Sequence, residues 1–347
     1  MPRRIRSSAW AKAFERSFLA IARNTLRANA RAARLSLKTQ ARGMKTQAMG
    51  LTTPAQRRRP PPGEGDWIAG LALGAAGARR YRLYRPPGSP VGERLPLLVM
   101  LHGCGQDARS FALTTRMNRI AARERFLVLY PEQDRLANAQ GCWNWFDTRS
   151  GRAYGEAQLI LAAVDQVCLL YPVDRDRIAI AGLSAGASMA ALLVTRHPGR
   201  FKAVMMHSGI PPGSADSTLS AVRAMHGKRT AMPLAAPAAT ASWPPLMVIH
   251  GSADPVVSRS NAQAAAQAWA AAVGARRGPS RSVRRGKRYP MTVTDFKLRS
   301  STVATLVEVA QLGHAWSGGV DSQPNSDGRG PDASQMMWSF AAKQFRD

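Results

Sequence analysis

Short apolar runs recur between residues 95 and 310 and alternate with segments of helical periodicity. Six runs predict buried strands, and an alternating segment at 78–84 predicts one more; the six are 96–101, 126–130, 177–181, 201–207, 246–250 and 302–309. Helical patterns lie between them, at 111–125, 157–170 and 184–196. Short apolar strands that alternate with helices indicate an α/β fold with a mostly parallel central sheet and helices on both faces.

Two segments of this region lack a clean period. Residues 210–243 are expected to form an insertion over the sheet, and residues 274–288 are expected to form a basic, turn-rich loop.

The first 65 residues have a different pattern and predict a basic arm followed by a Pro-rich linker. Trp10, Phe14, Phe18 and Ile21 recur on one side of a helix, and basic residues cluster on the opposite side. This basic amphipathic pattern is typical of surface-binding helices and of organellar transit peptides, and an arm with no dedicated role fits equally well. The tract QRRRPPPGEG at 56–65 breaks any helix, so a separate domain is expected over 66–347.

The charge balance points to anionic partners. The 347 residues contain 49 Lys and Arg against 21 Asp and Glu, a formal net charge of +28. In residues 1–60, 15 basic residues face the single acid Glu15, so association with a granule or another anionic surface is expected through this segment. No segment resembles a nucleic-acid-binding fold, so a nucleic acid is not expected as a specific partner.

Membrane and export signals are not apparent. No transmembrane segment is expected. The longest uncharged stretch near the N-terminus, 17–22, is too short for the apolar region of a signal peptide. A cytoplasmic, granule-associated location is expected, and export by a route without a recognisable signal peptide is the alternative. Three cysteines, Cys104, Cys142 and Cys168, allow one bridge with a spare thiol or three reduced thiols.

A G-x-S-x-G sequence lies at 182–186, between a predicted strand and a helix of small residues. That context is typical of a nucleophile elbow, a turn so tight that small residues must flank a serine held at the carboxyl edge of the sheet. The alternative is an ordinary strand-to-helix turn. The context favours Ser184 as the nucleophile.

A nucleophilic serine needs a base and an acid that orients the base, and in this fold they follow in the order Ser, Asp or Glu, His. Asp254 follows the strand at 246–250, and His314 follows the strand at 302–309 in a glycine-containing loop. Asp254 could instead cap a helix before Pro255, and Asp295 and Asp321 are weaker rivals for the acid. We therefore predict a Ser184–His314–Asp254 triad.

The developing oxyanion of acyl transfer needs hydrogen-bond donors. The backbone N–H of Ala185, at the start of the helix after the elbow, is the first candidate. The second is expected in the loop HGCGQ at 102–106, most simply the backbone N–H of Cys104.

Five ordered motifs together resemble the polyhydroxybutyrate depolymerase-type esterases, which are α/β-hydrolases related to feruloyl and acetylxylan esterases. They are LHGCGQ at 101–106, GCWNWFD at 141–147, GLSAGASM at 182–189, HGSADPVV at 250–257 and GHAWSGG at 313–319. The resemblance covers about residues 95–340. It implies the same triad, a Cys104–Cys142 disulfide, and substrate-binding roles for Gln106, Trp145 and Trp316. Cys168 falls inside a helical pattern and is expected to be buried and unpaired. Core packing is the alternative role for the tryptophans, Trp143 included.

These observations predict a serine esterase that acts through an acyl-enzyme. The resemblance implies that it hydrolyses poly(3-hydroxybutyrate)-like polyesters or their oligomers, and a feruloyl or acetyl esterase acting on polysaccharide esters is the alternative. A non-catalytic granule- or nucleic-acid-binding protein is a hypothesis of another class, against which the intact Ser, Asp and His positions argue. This chemistry needs no cofactor, and no His and Cys cluster suggests a metal site.

Overall fold

The computed structural model describes residues 60–88, 90, 92–228 and 243–346. The predicted basic arm and the first four residues of the predicted linker, 56–59, lie outside the described residues, as does the second half of the predicted insertion. The first strand begins at Asp66, the residue at which the predicted domain begins.

Ten strands of the described residues form one sheet with the order β1-β2-β4-β3-β5-β6-β7-β10-β9-β8. Their bounds are β1 Asp66–Gly74, β2 Gly77–Arg85, β3 Leu95–Leu101, β4 Leu127–Pro131, β5 Val173–Leu183, β6 Ala203–His207, β7 Leu246–Gly251, β8 Arg276–Val283, β9 Met291–Leu298 and β10 Ser301–Val309. A two-stranded parallel pair, β11 Trp316–Ser317 and β12 Ser326–Asp327, lies apart from this sheet.

The centre of the sheet is parallel and its two sides are antiparallel. Six neighbouring strands run in one direction: β4, β3, β5, β6, β7 and β10. On the two sides of this group, β2 pairs antiparallel with β4 and β9 pairs antiparallel with β10. All seven residues of β3 are buried, as expected for a strand covered on both faces. The predicted mostly parallel α/β sheet is confirmed.

Seven helices within the described residues cover the sheet: α1 Ala108–Thr115, α2 Met117–Glu124, α3 Arg152–Leu170, α4 Ala185–Arg196, α5 Thr218–Met225, α6 Ser260–Ala272 and α7 Ala333–Gln344. On one face, α1, α2 and α7 join strand residues in a buried cluster that includes Phe111, Phe126, Trp316 and Trp338. Helices α3, α4 and α6 contact the strands without contributing to that cluster, so they cover the opposite face. The carboxyl ends of the parallel strands therefore remain available for functional loops.

The predicted helix at 111–125 is two helices. Helix α1 ends at Thr115, and Arg116 adopts a left-handed conformation with φ of 55° before α2 begins. The guanidinium of Arg116 donates a hydrogen bond to the carbonyl oxygen of Gly318, 202 residues away. The break thus coincides with a tertiary contact that sequence periodicity does not reveal.

The prediction of a basic loop at 274–288 is wrong, because most of this segment forms the strand β8. Strand β8 pairs antiparallel with β9 at the end of the sheet, with Val283 opposite Met291. Its side chains are exposed or half-buried, so it lacks the alternation that identifies a strand with one buried face.

The first part of the predicted insertion, 210–228, contains the short helix α5.

Helix α3 is long and apolar enough to cross a bilayer by length and composition alone. In the fold it contacts β1, β2 and α4, and 56% of its apolar window is buried within the protein. We interpret it as a core helix.

Candidate active site

Ser184 lies in the tight turn that joins β5 to α4, with φ of 56° and ψ of −120°. This sparsely populated backbone conformation is typical of a nucleophile elbow. The two neighbouring glycines make the turn sterically feasible. A Cβ atom on Gly182 would lie 2.4 Å from the carbonyl carbon of Gly186, and one on Gly186 would lie 2.2 Å from the carbonyl oxygen of Leu101. The predicted elbow is therefore present, packed directly against the end of β3.

The structure brings the three residues of the predicted triad together. The Nε2 atom of His314 lies 3.0 Å from Oγ of Ser184, and its Nδ1 atom lies 2.8 Å from Oδ2 of Asp254. Asp254 follows β7 and His314 follows β10, so three separate strand ends supply the three side chains. This geometry is that of a nucleophile, a base and an orienting acid.

The environment of Asp254 keeps its carboxylate ionised. Burial alone would raise the pKa of Asp254, but the charge and hydrogen bond of His314 and the neighbouring donors lower it to about 2. Its Oδ1 atom accepts hydrogen bonds of 2.9 Å from the backbone N–H groups of Val256 and Val257. An ionised acceptor at Oδ2 requires the proton of neutral His314 on Nδ1, which leaves Nε2 free to accept the Ser184 proton.

His207 connects the nucleophile loop to the base loop. Its carbonyl oxygen accepts a 2.8 Å hydrogen bond from the backbone N–H of Ser184, and its Nε2 atom accepts a 3.1 Å hydrogen bond from the backbone N–H of Ser317. The His207 side chain is fully buried. Burial, reinforced by nearby His250 and His314, lowers the pKa of His207 to about 3, which keeps the ring neutral.

A second buried histidine, His250, lies beside the acid. Its Nε2 atom is 2.9 Å from the carbonyl oxygen of Val257 and 3.5 Å from Oδ2 of Asp254. Burial lowers the pKa of His250. His207 is the last residue of β6, and His250 is the penultimate residue of β7. Only the three-dimensional contacts show that both support triad residues.

The two predicted oxyanion donors lie on adjoining segments. Ala185 is the first residue of α4, where backbone N–H groups have no partner within the helix. In the loop after β3, the amides of Gly103, Gly105 and Gln106 donate to Gln106, Gln140 and Gly103 respectively. Among the hydrogen bonds of the described residues, the amide of Cys104 has no acceptor. The close approach of Gly186 to Leu101 and His102 places this loop against the start of α4.

The predicted Cys104–Cys142 disulfide is present, with Cα atoms 4.3 Å apart. It joins the oxyanion loop to the segment Cys142–Phe146. Cys168 is unpaired, as predicted, but it is half-buried rather than buried, because it lies near the end of α3; partial burial raises the pKa of its thiol.

A buried polar network that sequence analysis missed supports the segment around Cys142. The carboxylate of Glu156 accepts hydrogen bonds of 2.7 Å from Gln133 and of 2.6 Å and 2.9 Å from the side chain and backbone of Asn144. Gln133 also donates a 2.9 Å hydrogen bond to the carbonyl oxygen of Cys142. Because a buried carboxylate is costly unless it is hydrogen-bonded, these contacts hold the segment in one arrangement.

The structure contradicts the predicted substrate contact of Trp316 and gives Gln106 hydrogen bonds within the protein. Trp316 is fully buried, stacks on His207 and donates a 3.0 Å hydrogen bond to Ser334. The amide of Gln106 is also buried; its Oε1 atom accepts from the N–H of Gly103, and its Nε2 atom donates to Thr114. Trp316 is thus a core residue beneath the His314 loop, and Gln106 supports the oxyanion loop.

The remaining tryptophans are also largely buried. Trp143 is fully buried and donates a 3.0 Å hydrogen bond to the carbonyl oxygen of His102, in keeping with a packing role. Trp145 is 7% exposed and lies edge-on to Phe146. Its substrate-binding role stays a prediction.

The rival acids lie elsewhere. Asp295 forms an ion pair with Arg281 and accepts a hydrogen bond from Thr305, and Asp321 accepts from the backbone N–H of Gly328. Neither carboxylate is among the partners of His314. Within the described residues, no group of three His, Cys, Asp or Glu side chains is arranged to hold a metal ion.

The comparison with solved structures supports the fold. The chain is similar to an acetyl xylan esterase from Aspergillus awamori, with a TM-score of 0.56 at 16% identity over 73% of this chain and 94% of that one. At this level of identity the likeness concerns the fold.

Sequence comparison gives the family. The chain is 30% identical over 192 residues to poly(3-hydroxyalkanoate) depolymerase C of Paucimonas lemoignei, which covers 51% of this chain and 44% of that protein. It is 26% identical over 208 residues to feruloyl esterase B of Neurospora crassa, covering 56% of this chain and 70% of that protein. The chain thus spans less than half the length of the first of these relatives. The model of the esterase PHB depolymerase family matches residues 79–282, and the chain belongs to that family.

Proposed function

We propose that this protein is a serine esterase that cleaves its substrate through an acyl-enzyme. The observation that carries the proposal is the hydrogen-bonded series from Ser184 through His314 to Asp254, with spacings of 3.0 Å and 2.8 Å. Ionised Asp254 accepts the Nδ1 proton of His314, which directs Nε2 toward the hydroxyl of Ser184.

In the first half of the reaction, the Ser184 hydroxyl transfers its proton to Nε2 of His314 while Oγ bonds to the carbonyl carbon of the ester. The backbone N–H groups of Ala185 and Cys104 donate to the oxyanion that forms. Collapse of the tetrahedral intermediate breaks the bond to the leaving oxygen, which receives the proton from Nε2. The product alcohol leaves, and the acyl group remains on Ser184.

In the second half, water attacks the acyl carbon and gives its proton to Nε2 of His314. The bond from the acyl carbon to Oγ then breaks, and Oγ recovers the proton from His314. The acid product leaves and the enzyme returns to its initial state. These steps use only side chains and amides of the chain itself.

The proposed substrates are poly(3-hydroxybutyrate)-like polyesters or their oligomers. Membership of the esterase PHB depolymerase family and the likeness to a poly(3-hydroxyalkanoate) depolymerase support this class. The likeness to a feruloyl esterase supports aryl or acetyl esters of polysaccharides as the second candidate class.

The disulfide supports a location other than the expected cytoplasm. Disulfides persist in oxidising compartments and are rare in the reducing cytosol, so the Cys104–Cys142 bridge favours the alternative of an exported protein. Surface association through residues 1–60 stays a prediction.

The test compares wild-type protein with Ser184→Ala on a chromogenic short-chain ester, and then wild type on a substrate panel. We expect hydrolysis by the wild type and a loss of several orders of magnitude in the variant. The panel contains poly(3-hydroxybutyrate), its dimers, and feruloyl and acetyl esters of polysaccharides. Faster release of hydroxybutyrate than of ferulate or acetate supports the polyester assignment, whereas the reverse order supports the second class. Equal rates of ester hydrolysis with and without the Ser184 hydroxyl would refute the mechanism.

A further inference from the structure

The two strands at one end of the sheet, β9 and β8, form a strongly basic hairpin. Residues 276–299 contain nine Lys and Arg and one acid, Asp295, which is engaged by Arg281. The turn between the two strands, 284–288, has the sequence RRGKR and is called here the basic turn. Arg284, Arg285 and Lys287 of this turn are exposed, and none of them takes part in an ion pair among the described residues.

Strand directions place the basic turn at the same edge of the sheet as the triad. Strand β10 runs parallel to β7, β9 runs antiparallel to β10, and β8 runs antiparallel to β9. Strand β8 therefore ends at the edge where β7 and β10 end. The loops that follow β7 and β10 hold Asp254 and His314.

A short series of contacts connects the basic turn to the His314 loop. The guanidinium of Arg288 donates hydrogen bonds of 2.9 Å and 2.6 Å to the carbonyl oxygens of Gly328 and Gly330. Gly330 packs so closely on Ser317 that a Cβ atom there would lie 2.3 Å from Oγ of Ser317. Ser317 is three residues beyond His314. The turn is thus anchored beside the site while its other cations face solvent.

The acids of this neighbourhood have other partners. Asp327 forms a 3.2 Å ion pair with Arg329, and Asp321 accepts a 2.6 Å hydrogen bond from the backbone N–H of Gly328. Five cations lie near these two carboxylates, which leaves an excess of three positive charges. The cations are Arg284, Arg285, Lys287, Arg288 and Arg329. The surface beside the site therefore keeps a positive charge.

Exposed leucines lie at the same edge. Leu136, in the loop that follows β4, is 95% exposed, and Leu219, in the segment that follows β6, is 52% exposed. Leu136 lies beyond the carboxyl end of β4, which is parallel to β7 and β10. Leu219 lies in α5, whose last residue Met225 accepts a 2.7 Å hydrogen bond from the backbone N–H of Ser258 in the segment after β7. An apolar side chain gains free energy at the boundary between lipid headgroups and acyl chains, but gains little on a nucleic acid backbone.

We propose that the basic turn docks the protein on an anionic phospholipid layer, with Leu136 and Leu219 against that layer and the active-site edge facing it. Lipid phosphates meet Arg284, Arg285 and Lys287, and the leucines enter the headgroup region. The advantage of this orientation rests on the proposed function, since a water-insoluble ester must be reached from a surface. The docking itself does not depend on hydrolysis.

The test measures binding of the full chain to vesicles of phosphatidylcholine with and without phosphatidylglycerol, by flotation at increasing salt. The turn variant is Arg284→Gln/Arg285→Gln/Lys287→Gln. Its matched control is Arg276→Gln/Lys297→Gln/Arg299→Gln, which removes three charges from the opposite end of the same two strands. All variants retain residues 1–60, so any contribution of that segment is constant.

We expect the turn variant to bind anionic vesicles roughly 100-fold more weakly than wild type, and the control to change binding less than twofold. Leu136→Ser should reduce the binding that survives high salt, because that part is apolar. Hydrolysis of a water-soluble ester should be unchanged in all three variants. Hydrolysis of an ester dissolved in anionic vesicles should fall only in the turn and Leu136 variants.

Equal losses in the turn variant and its control would overturn the proposal, because binding would then depend on total charge rather than on the turn. Retention on duplex DNA but not on anionic vesicles would overturn the choice of lipid. The binding assay is repeated with Ser184→Ala as background. If vesicle binding follows the expected pattern while esterase activity is absent from the wild type, the proposed function fails and the docking surface stands.

Discussion

The imidazole of His207 accepts a 3.1 Å hydrogen bond at Nε2 from the backbone N–H of Ser317, three residues beyond the base His314. The same residue accepts the backbone N–H of Ser184 at its carbonyl oxygen, at 2.8 Å. One buried residue therefore determines the relative positions of the nucleophile turn and the base loop, although it contacts neither reacting atom.

Replacement of this imidazole should reduce turnover more than binding. His207→Leu leaves the N–H of Ser317 without an acceptor in a buried position, which costs about 1–3 kcal/mol and displaces the His314 loop. We expect kcat on a soluble ester to fall roughly 10- to 100-fold with a small change in KM. His207→Gln, which restores an acceptor, should recover part of the loss. An unchanged kcat in His207→Leu with a folded protein would contradict this role.

Asp254→Asn should lower kcat by roughly 10³- to 10⁴-fold while the fold remains intact, because an amide no longer stabilises the imidazolium or the Nδ1 tautomer of His314. The matched control is Asp295→Asn, which removes a carboxylate of the same size that pairs with Arg281. The control should retain nearly full activity. Loss of activity in Asp295→Asn with retention in Asp254→Asn would exchange their assignments.

Loss of the disulfide should affect both stability and turnover. The bridge closes a loop with a sequence separation of 38, and its removal is expected to cost about 2–4 kcal/mol. Because Cys104 also supplies the proposed oxyanion donor, Cys104→Ser/Cys142→Ser should lower kcat in addition to the melting temperature. Cys168→Ser is the control, since Cys168 is unpaired. A double variant that melts earlier yet keeps full kcat would show that the bridge does not position the donor.

Two buried histidines should make the protein sensitive to mild acid. Burial is the main cause that lowers the pKa of His102 to about 4 and that of His207 to about 3 in the folded protein. Unfolded histidine titrates near pH 6.5, so below that pH the unfolded state binds protons that the folded state does not. Stability is therefore complete above about pH 6.5 and falls as the pH decreases toward about 4 for His102 and about 3 for His207.

The loss should amount to about 1.4 kcal/mol per pH unit for each histidine. It is measured by urea unfolding between pH 7 and pH 4.5. Asp254 titrates below this range, so the stabilisation that it provides stays nearly constant across the measurement. Variants His102→Gln and His207→Gln should each show a shallower decrease in the free energy of unfolding than wild type. A decrease of the same steepness in both variants would contradict this origin of the acid sensitivity.

The alternation of short apolar strands with helices was sufficient to predict the parallel sheet, since strands buried on both faces must be apolar throughout. The triad was predictable for a related reason. In this fold the functional loops follow strands in a set chain order, so Ser184, Asp254 and His314 could be assigned from their positions after the strands. The antiparallel pair β8 and β9 was not predictable from the sequence. The side chains of β8 are exposed or half-buried, and its arginines conceal its pairing with β9.

Tertiary structure alone decided which side chains support the site from within the core. The aromatic motifs suggested that Trp316 contacts substrate, but the side chain fills the core beneath His314. The supporting contacts of His207 and Glu156 join residues that are distant in the chain, and a single sequence carries no record of such proximity. A buried polar side chain is directed by whichever partner satisfies its hydrogen bonds, and those partners become neighbours only when the sheet assembles.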